Sequence, residues 1–179
     1  MTTLILGRDH GVAEWVARQL DGFEHAEDFG LGSAIGIAKD GVLICGVVYN
    51  NFHKGKHGNT VGMTIFASSP KWISRGTLRA LFHYPFVQLG CVRVTALTAK
   101  RNKRARRFLE GLGFQLEGVS RKAFDGRMDA MIYGLLRDEC KWLDSGQVVS
   151  LGTSGTRSGR NRERPIGLER GDGAAPGSP

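Results

Sequence analysis

The sequence has few cysteines, and none of them is paired by spacing. Cys45, Cys91 and Cys140 lie far apart and form no Cys-x-x-Cys motif. This argues against a disulfide framework and against a zinc site, and it predicts three buried free thiols. The histidines also show no spacing typical of a metal site, so no metal is predicted.

Long apolar runs are also missing. No stretch approaches the ~20 residues that a membrane helix requires. The first ten residues, MTTLILGRDH, lack the basic start and the small-residue cleavage site of a secretory signal. With 41% hydrophobic residues the chain can still bury a core. We therefore expect a cytoplasmic protein without a membrane partner.

Acidic residues are fewer than basic ones. The chain has 25 Lys and Arg against 17 Asp and Glu, a formal net charge of +8. Residues 144–179 hold five arginines against four acidic residues and contribute +1, which leaves +7 for residues 1–143. Six of the eight residues from Lys100 to Arg107 are basic. This run indicates either an anionic partner, nucleic acid included, or the solvated face of a helix.

The composition changes after residue 143. Residues 144–179 contain eight glycines, three prolines and no aromatic residue. Such a segment cannot bury enough apolar area to offset the loss of chain entropy. The sequence thus predicts a folded domain at 1–143 and a disordered, Gly- and Arg-rich tail at 144–179.

Residues 1–143 alternate between the strand period and the helix period. Asp9 is a candidate N-cap for the first helix, Asp40-Gly41 forms a hairpin turn, and a helix begins near Ser74. Asn102 and Gly113 bound another helix. The predicted order is β-α-β-β-β-α-β-α-β-β, an α/β domain with a mixed sheet. The predicted strands are 4–7, 33–39, 42–52, 59–67, 91–97, 114–120 and 129–136.

The string Asn-x-x-Ala-x-x-Phe-Leu-Glu-x-Leu-Gly-Phe-x-x-Glu-Gly resembles the GCN5-related N-acetyltransferase (GNAT) family. Within that family, the second half of the chain is most similar to the ribosomal-protein-alanine acetyltransferase branch. The resemblance covers about residues 30–143 and implies a mixed central sheet, splayed parallel strands and helices on both faces. The residues that carry the string are Asn102, Ala105, Phe108, Leu109, Glu110, Leu112, Gly113, Phe114, Glu117 and Gly118.

The resemblance implies acetyl-coenzyme A as a substrate. It would lie in a wedge between strands 59–67 and 91–97, where the main-chain amides of Phe66 and Ser68 would pair with its pantetheine arm. Asn102 would bond the same arm from the next helix.

The resemblance also implies a phosphate site. Ser74, Arg75, Gly76 and Thr77 occupy the position of the family's glycine-bearing turn, where free amides at a helix start favour a pyrophosphate. Arg75 would supply the cation in place of the family's arginine. On the basic face of 100–107, Arg107 would attract the 3′-phosphate.

The implied reaction is direct attack of a neutral primary amine on the thioester within a ternary complex. It requires a base, yet residues 60–67 contain no carboxylate. His53 is the candidate base, because imidazole titrates near pH ~6.5, and Tyr49 is a candidate for orienting the substrate. The acceptor would be a small-molecule or protein amine, and the protein a monomer or homodimer.

Two alternatives remain open. One is a nucleic-acid-modifying member of the same fold, similar to the phage Mom-type enzymes, favoured by the basic helix and by Tyr49 with His53. The other is a catalytically silent module that binds coenzyme A or another anion, favoured by the absence of a carboxylate on strand 59–67.

Overall fold

The segments with strand periodicity and those with helix periodicity form strands and helices in the computed structural model, which describes residues 2–143. Strands and helices follow the predicted order. The predicted tail at 144–179 lies outside these residues and stays a prediction. The elements are β1 (Thr2–Ile5), α1 (Asp9–Ala17), β2 (Gly32–Lys39), β3 (Val42–His53), β4 (Asn59–Ala67), α2 (Arg75–His83), β5 (Cys91–Ala99), α3 (Lys103–Leu112), β6 (Gln115–Phe124) and β7 (Met128–Leu136).

The seven strands form one mixed sheet in the order β1-β2-β3-β4-β5-β7-β6. Only β4 and β5 pair in parallel, and the other neighbours are antiparallel. The β2–β3 hairpin turns at Asp40-Gly41, where both residues have positive φ, as two-residue hairpin turns require. The predicted α/β class with a mixed sheet is therefore confirmed.

The sheet buries its two faces against different helices. One face packs against α2 and α3 through Leu78, Leu81, Leu109 and Leu112; we call it the helix-pair face. The opposite face packs against α1 and is called the α1 face. Helix α1 approaches β3 closely because Gly46 has no side chain. A Cβ built there would lie 2.5 Å from Val16 Cγ2.

Local signals set the ends of α3, as predicted. The Asn102 side chain accepts a hydrogen bond from the Ala105 amide (3.0 Å), and Gly113 ends the helix at φ 108°. The predicted cap of α1 is wrong, because Arg8 holds the N-cap position. Asp9 instead accepts a bond from the Ala34 amide at 2.6 Å, which ties α1 to β2. None of the helices within residues 2–143 is long and apolar enough to cross a membrane.

Candidate active site

Strands β4 and β5 separate part of the way along their length. Their ladder runs from Asn59↔Cys91 to Gly62↔Thr95 and ends there. Beyond that point β4 continues to Ala67 and pairs only with β3, while β5 continues to Ala99 and pairs only with β7. The gap between the diverging segments matches the predicted wedge. We call the point at Gly62 and Thr95 the vertex.

Alternation along β4 decides which backbone groups face the gap. The Ser68 amide donates to the Ile44 carbonyl (3.0 Å). Hydrogen-bonded pairs recur at every second residue of an antiparallel ladder, so the Phe66 amide also points to β3. The gap therefore receives the backbone groups of the residues between them. The Phe66 and Ser68 amides, which were predicted to pair with a pantetheine arm, therefore point to β3. The Met63 amide is used in the last pair of the ladder with β5, Gly62↔Thr95, so the β4 amides that face the gap are those of Ile65 and Ala67.

The same reasoning applies to β5. The Lys100 amide donates to the Asp129 carbonyl and the Arg137 amide to the Val92 carbonyl, both at 3.0 Å. The backbone groups of even-numbered residues of β5 thus face β7, and those of Leu97 and the amide of Ala99 face the gap. The Ala99 carbonyl already accepts from the Asn102 amide (2.8 Å). Two rows of main-chain amides line the opening, and they offer hydrogen bonds to a ligand with amide groups of its own.

The N-terminus of α2 lies seven residues beyond the open end of β4. Ser74 Oγ accepts a bond from the Thr77 amide (3.1 Å), and the buried Thr77 hydroxyl donates to the Trp72 carbonyl (2.6 Å). These two residues build the cap. Arg75 and Gly76 are exposed, and a Cβ at Gly76 would meet nothing closer than Ser74 Oγ at 3.9 Å. The helix start is therefore open to an anion.

Helix α3 presents the basic run to solvent. Arg101, Lys103, Arg104 and Arg107 are exposed, and their side chains have no acidic partner among residues 2–143. Cations near a helix start are unfavourable for the helix, since that end already carries a partial positive charge. An anion at this surface would relieve the repulsion. Arg107 is thus accessible for the predicted phosphate contact.

An aromatic contact spans the space between the two helices. The buried Trp72 ring, just before α2, meets Phe108 of α3 edge to face, with centroids 5.9 Å apart. The opposite side of α3 is held by Tyr133, whose hydroxyl donates to Glu110 at 2.9 Å. Phe108 therefore faces α2, and Tyr133 anchors the far side of the helix.

The two predicted catalytic residues lie apart. Tyr49 is buried beneath α2, and its hydroxyl donates to the Leu81 carbonyl (2.6 Å); burial raises its pKa well above the ordinary value. Its hydroxyl is already bonded to the main chain of α2, and its contact with substrate stays a prediction. His53 is exposed at the end of β3 and pairs with Thr60, on the paired side of the vertex. Its role as base stays a prediction.

A polar cluster that the sequence did not reveal lies at the vertex, on the α1 face. Arg93 Nε donates to Thr95 Oγ1 (3.2 Å), and its guanidinium forms a two-pronged ion pair with Glu117. The hydrogen bonds from Arg93 lower the pKa of Glu117. Asn50 lies across Gly62 on the same face. Glu117 belongs to the motif string, but nothing in the sequence pairs it with Arg93.

The cysteines and the possible metal ligands within the described residues do not form a second site. Cys45, Cys91 and Cys140 are buried free thiols, as predicted, and burial raises the pKa of Cys45 to about 12. Within residues 2–143, no group of three or more His, Cys, Asp and Glu side chains is arranged to hold a metal ion. The gap and the two helix starts beside it remain as the candidate site.

Comparison with known proteins gives one family. The acetyltransferase (GNAT) domain family matches residues 7–115. No match is found among curated proteins. Solved structures share the fold at low sequence identity. The ribosomal-protein-S5-alanine acetyltransferase from Vibrio fischeri is 16% identical, with 78% of this chain and 94% of that chain covered and a TM-score of 0.57.

Two further structures are similar to the same extent. Mycobacterium smegmatis RimJ, in complex with CoA-disulfide, is 16% identical, with 77% of this chain and 83% of that chain covered and a TM-score of 0.58. Mutant forms of the spermidine/spermine N-acetyltransferase SpeG from Vibrio cholerae are 16% identical, with coverages of 77% and 96% and a TM-score of 0.60.

Proposed function

Because the chain belongs to the acetyltransferase (GNAT) family, we propose that it binds acetyl-coenzyme A in the gap between β4 and β5 and passes the acetyl group to a primary amine. Acyl transfer to amines is the activity that membership assigns. Both substrates are bound together in a ternary complex, and the amine attacks the thioester directly.

Acetyl-coenzyme A carries amides in its pantetheine arm and phosphates at its nucleotide end, and the gap offers partners for both. The pantetheine arm carries amides that pair with the Met63 carbonyl and with the gap-facing groups of Ile65 and Ala67. Its pyrophosphate meets the free amides of Arg75 and Gly76, where the helix dipole favours negative charge. The NH₂ group of Asn102 remains free to donate to the arm, because only its carbonyl oxygen is used as the cap. Arg107 supplies charge for the 3′-phosphate.

The reaction balances without a covalent enzyme intermediate. The amine lone pair attacks the thioester carbon, a C–N bond forms and the C–S bond breaks. One proton leaves the amine for a base, and the coenzyme A thiolate takes up a proton. The amide of Ile65, the first on β4 that the ladder with β5 leaves free, stabilises the negative charge that develops on the thioester oxygen.

The open gap carries this proposal, and calorimetric titration with acetyl-coenzyme A tests it. We expect saturable binding, weakened for 3′-dephospho-coenzyme A and weakened equally in Arg107→Gln. Absence of heat at millimolar acetyl-coenzyme A would reject the proposal. Thiol release with a panel of small amines, spermidine and an alanine-terminated peptide then defines the acceptor.

The candidate base has a matched control four residues further along the chain. His53 ends β3 and His57 lies in the connection to β4, and both are exposed. If His53 is the base, His53→Gln lowers turnover at saturating donor and removes the acidic limb of the pH profile, whereas His57→Gln leaves both unchanged. Equal turnover in the two variants assigns the base elsewhere.

The exposed cations of α3 favour a second candidate, a nucleic-acid-modifying enzyme of the same fold. Their lack of acidic partners within the described part of the chain supports it. Binding to duplex DNA should then weaken steeply with salt, since each neutralised phosphate releases a counterion. Weak binding that does not respond to salt removes this candidate.

A further inference from the structure

Three residues, Asn50, Gly62 and Thr95, lie side by side on the α1 face of the vertex. Val61 and Met63 pack into the core of the helix-pair face, so Gly62 between them turns toward the α1 face. Thr95 faces the same way, because its neighbours Val94 and Ala96 belong to that core as well. Because Gly62 has no side chain, the carboxamide of Asn50 on β3 extends over it, and we call the space between this carboxamide and Thr95 on β5 the slot.

The two side chains that flank the slot are held in fixed orientations. The Asn50 Nδ2 donates to the Phe29 carbonyl (3.2 Å), which directs Oδ1 over Gly62, 2.9 Å from the point where a Cβ would stand. Oδ1 receives no donor from the described residues. Thr95 Oγ1 accepts a single bond, from Arg93 Nε. Both oxygens therefore retain the capacity to accept a hydrogen bond.

The Thr95 hydroxyl has a support of its own. Glu117 reaches Arg93 by crossing β7 directly above Gly134, where any Cβ would collide with the carboxylate. The ion pair fixes the guanidinium, and the guanidinium fixes Thr95. Such an arrangement, extending over β5, β7 and β6, positions one hydroxyl at the vertex.

We propose that Asn50 Oδ1 and Thr95 Oγ1 bind the acceptor amine at the vertex, with Arg93 and Glu117 as positioning residues. This inference rests on the proposed function. A neutral primary amine has two N–H donors and one lone pair. Two acceptors in the slot take the two donors and direct the lone pair past the vertex, toward the thioester carbon in the open part of the gap. The donor fills the gap from the helix-pair side, so the acceptor arrives from the α1 face.

This arrangement selects primary amines. A secondary amine has one N–H and leaves one oxygen without a partner, which is a costly loss for a partly buried acceptor. Water, with two O–H donors, satisfies the same pair, so slow hydrolysis of acetyl-coenzyme A depends on the same residues. The substrate class is therefore an unsubstituted –NH₂ group.

The test measures thiol release from acetyl-coenzyme A with butylamine, with N-methylbutylamine and with water alone. We expect Thr95→Val and Asn50→Ala each to lower kcat/KM for butylamine, and the rate of hydrolysis, by about tenfold or more. The affinity for acetyl-coenzyme A, measured by calorimetry, should stay unchanged. Thr95→Ser should restore the rates, since it keeps the oxygen. The wild-type protein should prefer butylamine over its N-methyl derivative.

The outcomes separate this inference from the proposed function. Wild-type protein that does not bind acetyl-coenzyme A refutes both. Two results refute the inference alone. In the first, Thr95→Val and Asn50→Ala bind acetyl-coenzyme A and keep the wild-type rates. In the second, the wild-type protein binds acetyl-coenzyme A but accelerates neither the reaction with butylamine nor hydrolysis. Circular dichroism confirms that each variant folds, and Glu117→Gln gives an independent check. It should raise KM for butylamine without changing donor affinity, and a change in donor affinity instead would contradict the positioning role.

Discussion

A single carboxylate placed at the start of α2 should have opposite effects on folding and on donor binding. Gly76 is the second residue of the helix, is exposed, and has room for a side chain, since only Ser74 Oγ lies within 4 Å of a built Cβ. In Gly76→Asp the new charge interacts favourably with the helix dipole, by about 0.3–1 kcal/mol. Replacing a helical glycine adds to this effect. The variant should therefore unfold at equal or higher urea concentration than the wild type.

Binding should change in the other direction. A carboxylate about 4 Å from a phosphate oxygen costs about 1 kcal/mol in water and about 4 kcal/mol at the effective dielectric of a protein surface. These limits correspond to a loss of acetyl-coenzyme A affinity between about fivefold and several hundredfold. The loss should shrink at high salt, because exposed charges are screened.

The control for Gly76→Asp is Gly76→Asn, which has the same shape without the charge. Calorimetry at low and high salt, together with urea unfolding, measures both effects on the same samples. The reasoning is refuted if Gly76→Asp binds acetyl-coenzyme A as tightly as Gly76→Asn, whether or not both bind more weakly than the wild type. Side-chain shape, and not charge, would then govern the site.

Three further changes test the fold around the site. Gly46→Val should lower the free energy of unfolding by at least about 1–3 kcal/mol, because its Cβ would lie 2.5 Å from Val16 Cγ2; an unchanged urea midpoint would contradict the close packing of α1. Tyr49→Phe should cost about 1 kcal/mol, since it leaves the Leu81 carbonyl without its buried donor. Full turnover in that variant would assign Tyr49 to packing, and a loss of turnover would support its predicted contact with substrate. The folded-state pKa of Glu117 is lowered by its arginine partner, so the ion pair stabilises the fold above the unfolded pKa of about 4.3 and loses this effect as pH falls through the lower folded value. The stability difference between wild type and Glu117→Gln should accordingly be largest at neutral pH and vanish in acid, and a difference independent of pH would exclude the pair as its source.

The sequence predicted those parts of the fold that depend on local signals. A turn such as Asp40-Gly41, and a helix bounded by Asn102 and Gly113, carry their conformational requirements within a few residues. The divergence of β4 and β5 was predicted as well, but only through the family resemblance. Asp9 shows the limit of local reasoning. Its carboxylate could accept a hydrogen bond from an amide at the start of α1 or from the Ala34 amide of β2. The structure contains the bond to β2, and the helix cap is not formed.

The details of the site depended on pairing between distant segments. Which amides of β4 face the gap is decided by the register with β3, and a shift of one residue exchanges every group between the gap and the ladder. Phe66 and Ser68 were expected at the gap from the family resemblance, which does not give the register of β4 with β3. The bond between Arg93 and Glu117 joins residues 24 positions apart and depends on the missing side chain of Gly134. No spacing rule could have predicted it.

Donor and acceptor chemistry thus meet at one point but rest on separate parts of the molecule. The donor is assigned to backbone groups in the gap and to the start of α2, which lie beyond the vertex and toward the helix-pair face. The acceptor is assigned to side chains at the vertex itself, Asn50 and Thr95, on the α1 face. Because Gly76 and Thr95 share no contact, substitutions at the two positions should be additive in their effects on kcat/KM. If the effects of Gly76→Asp and Thr95→Val on kcat/KM are strongly non-additive, a single ligand touches both positions. The division of the site into a donor region and an acceptor region would then be wrong.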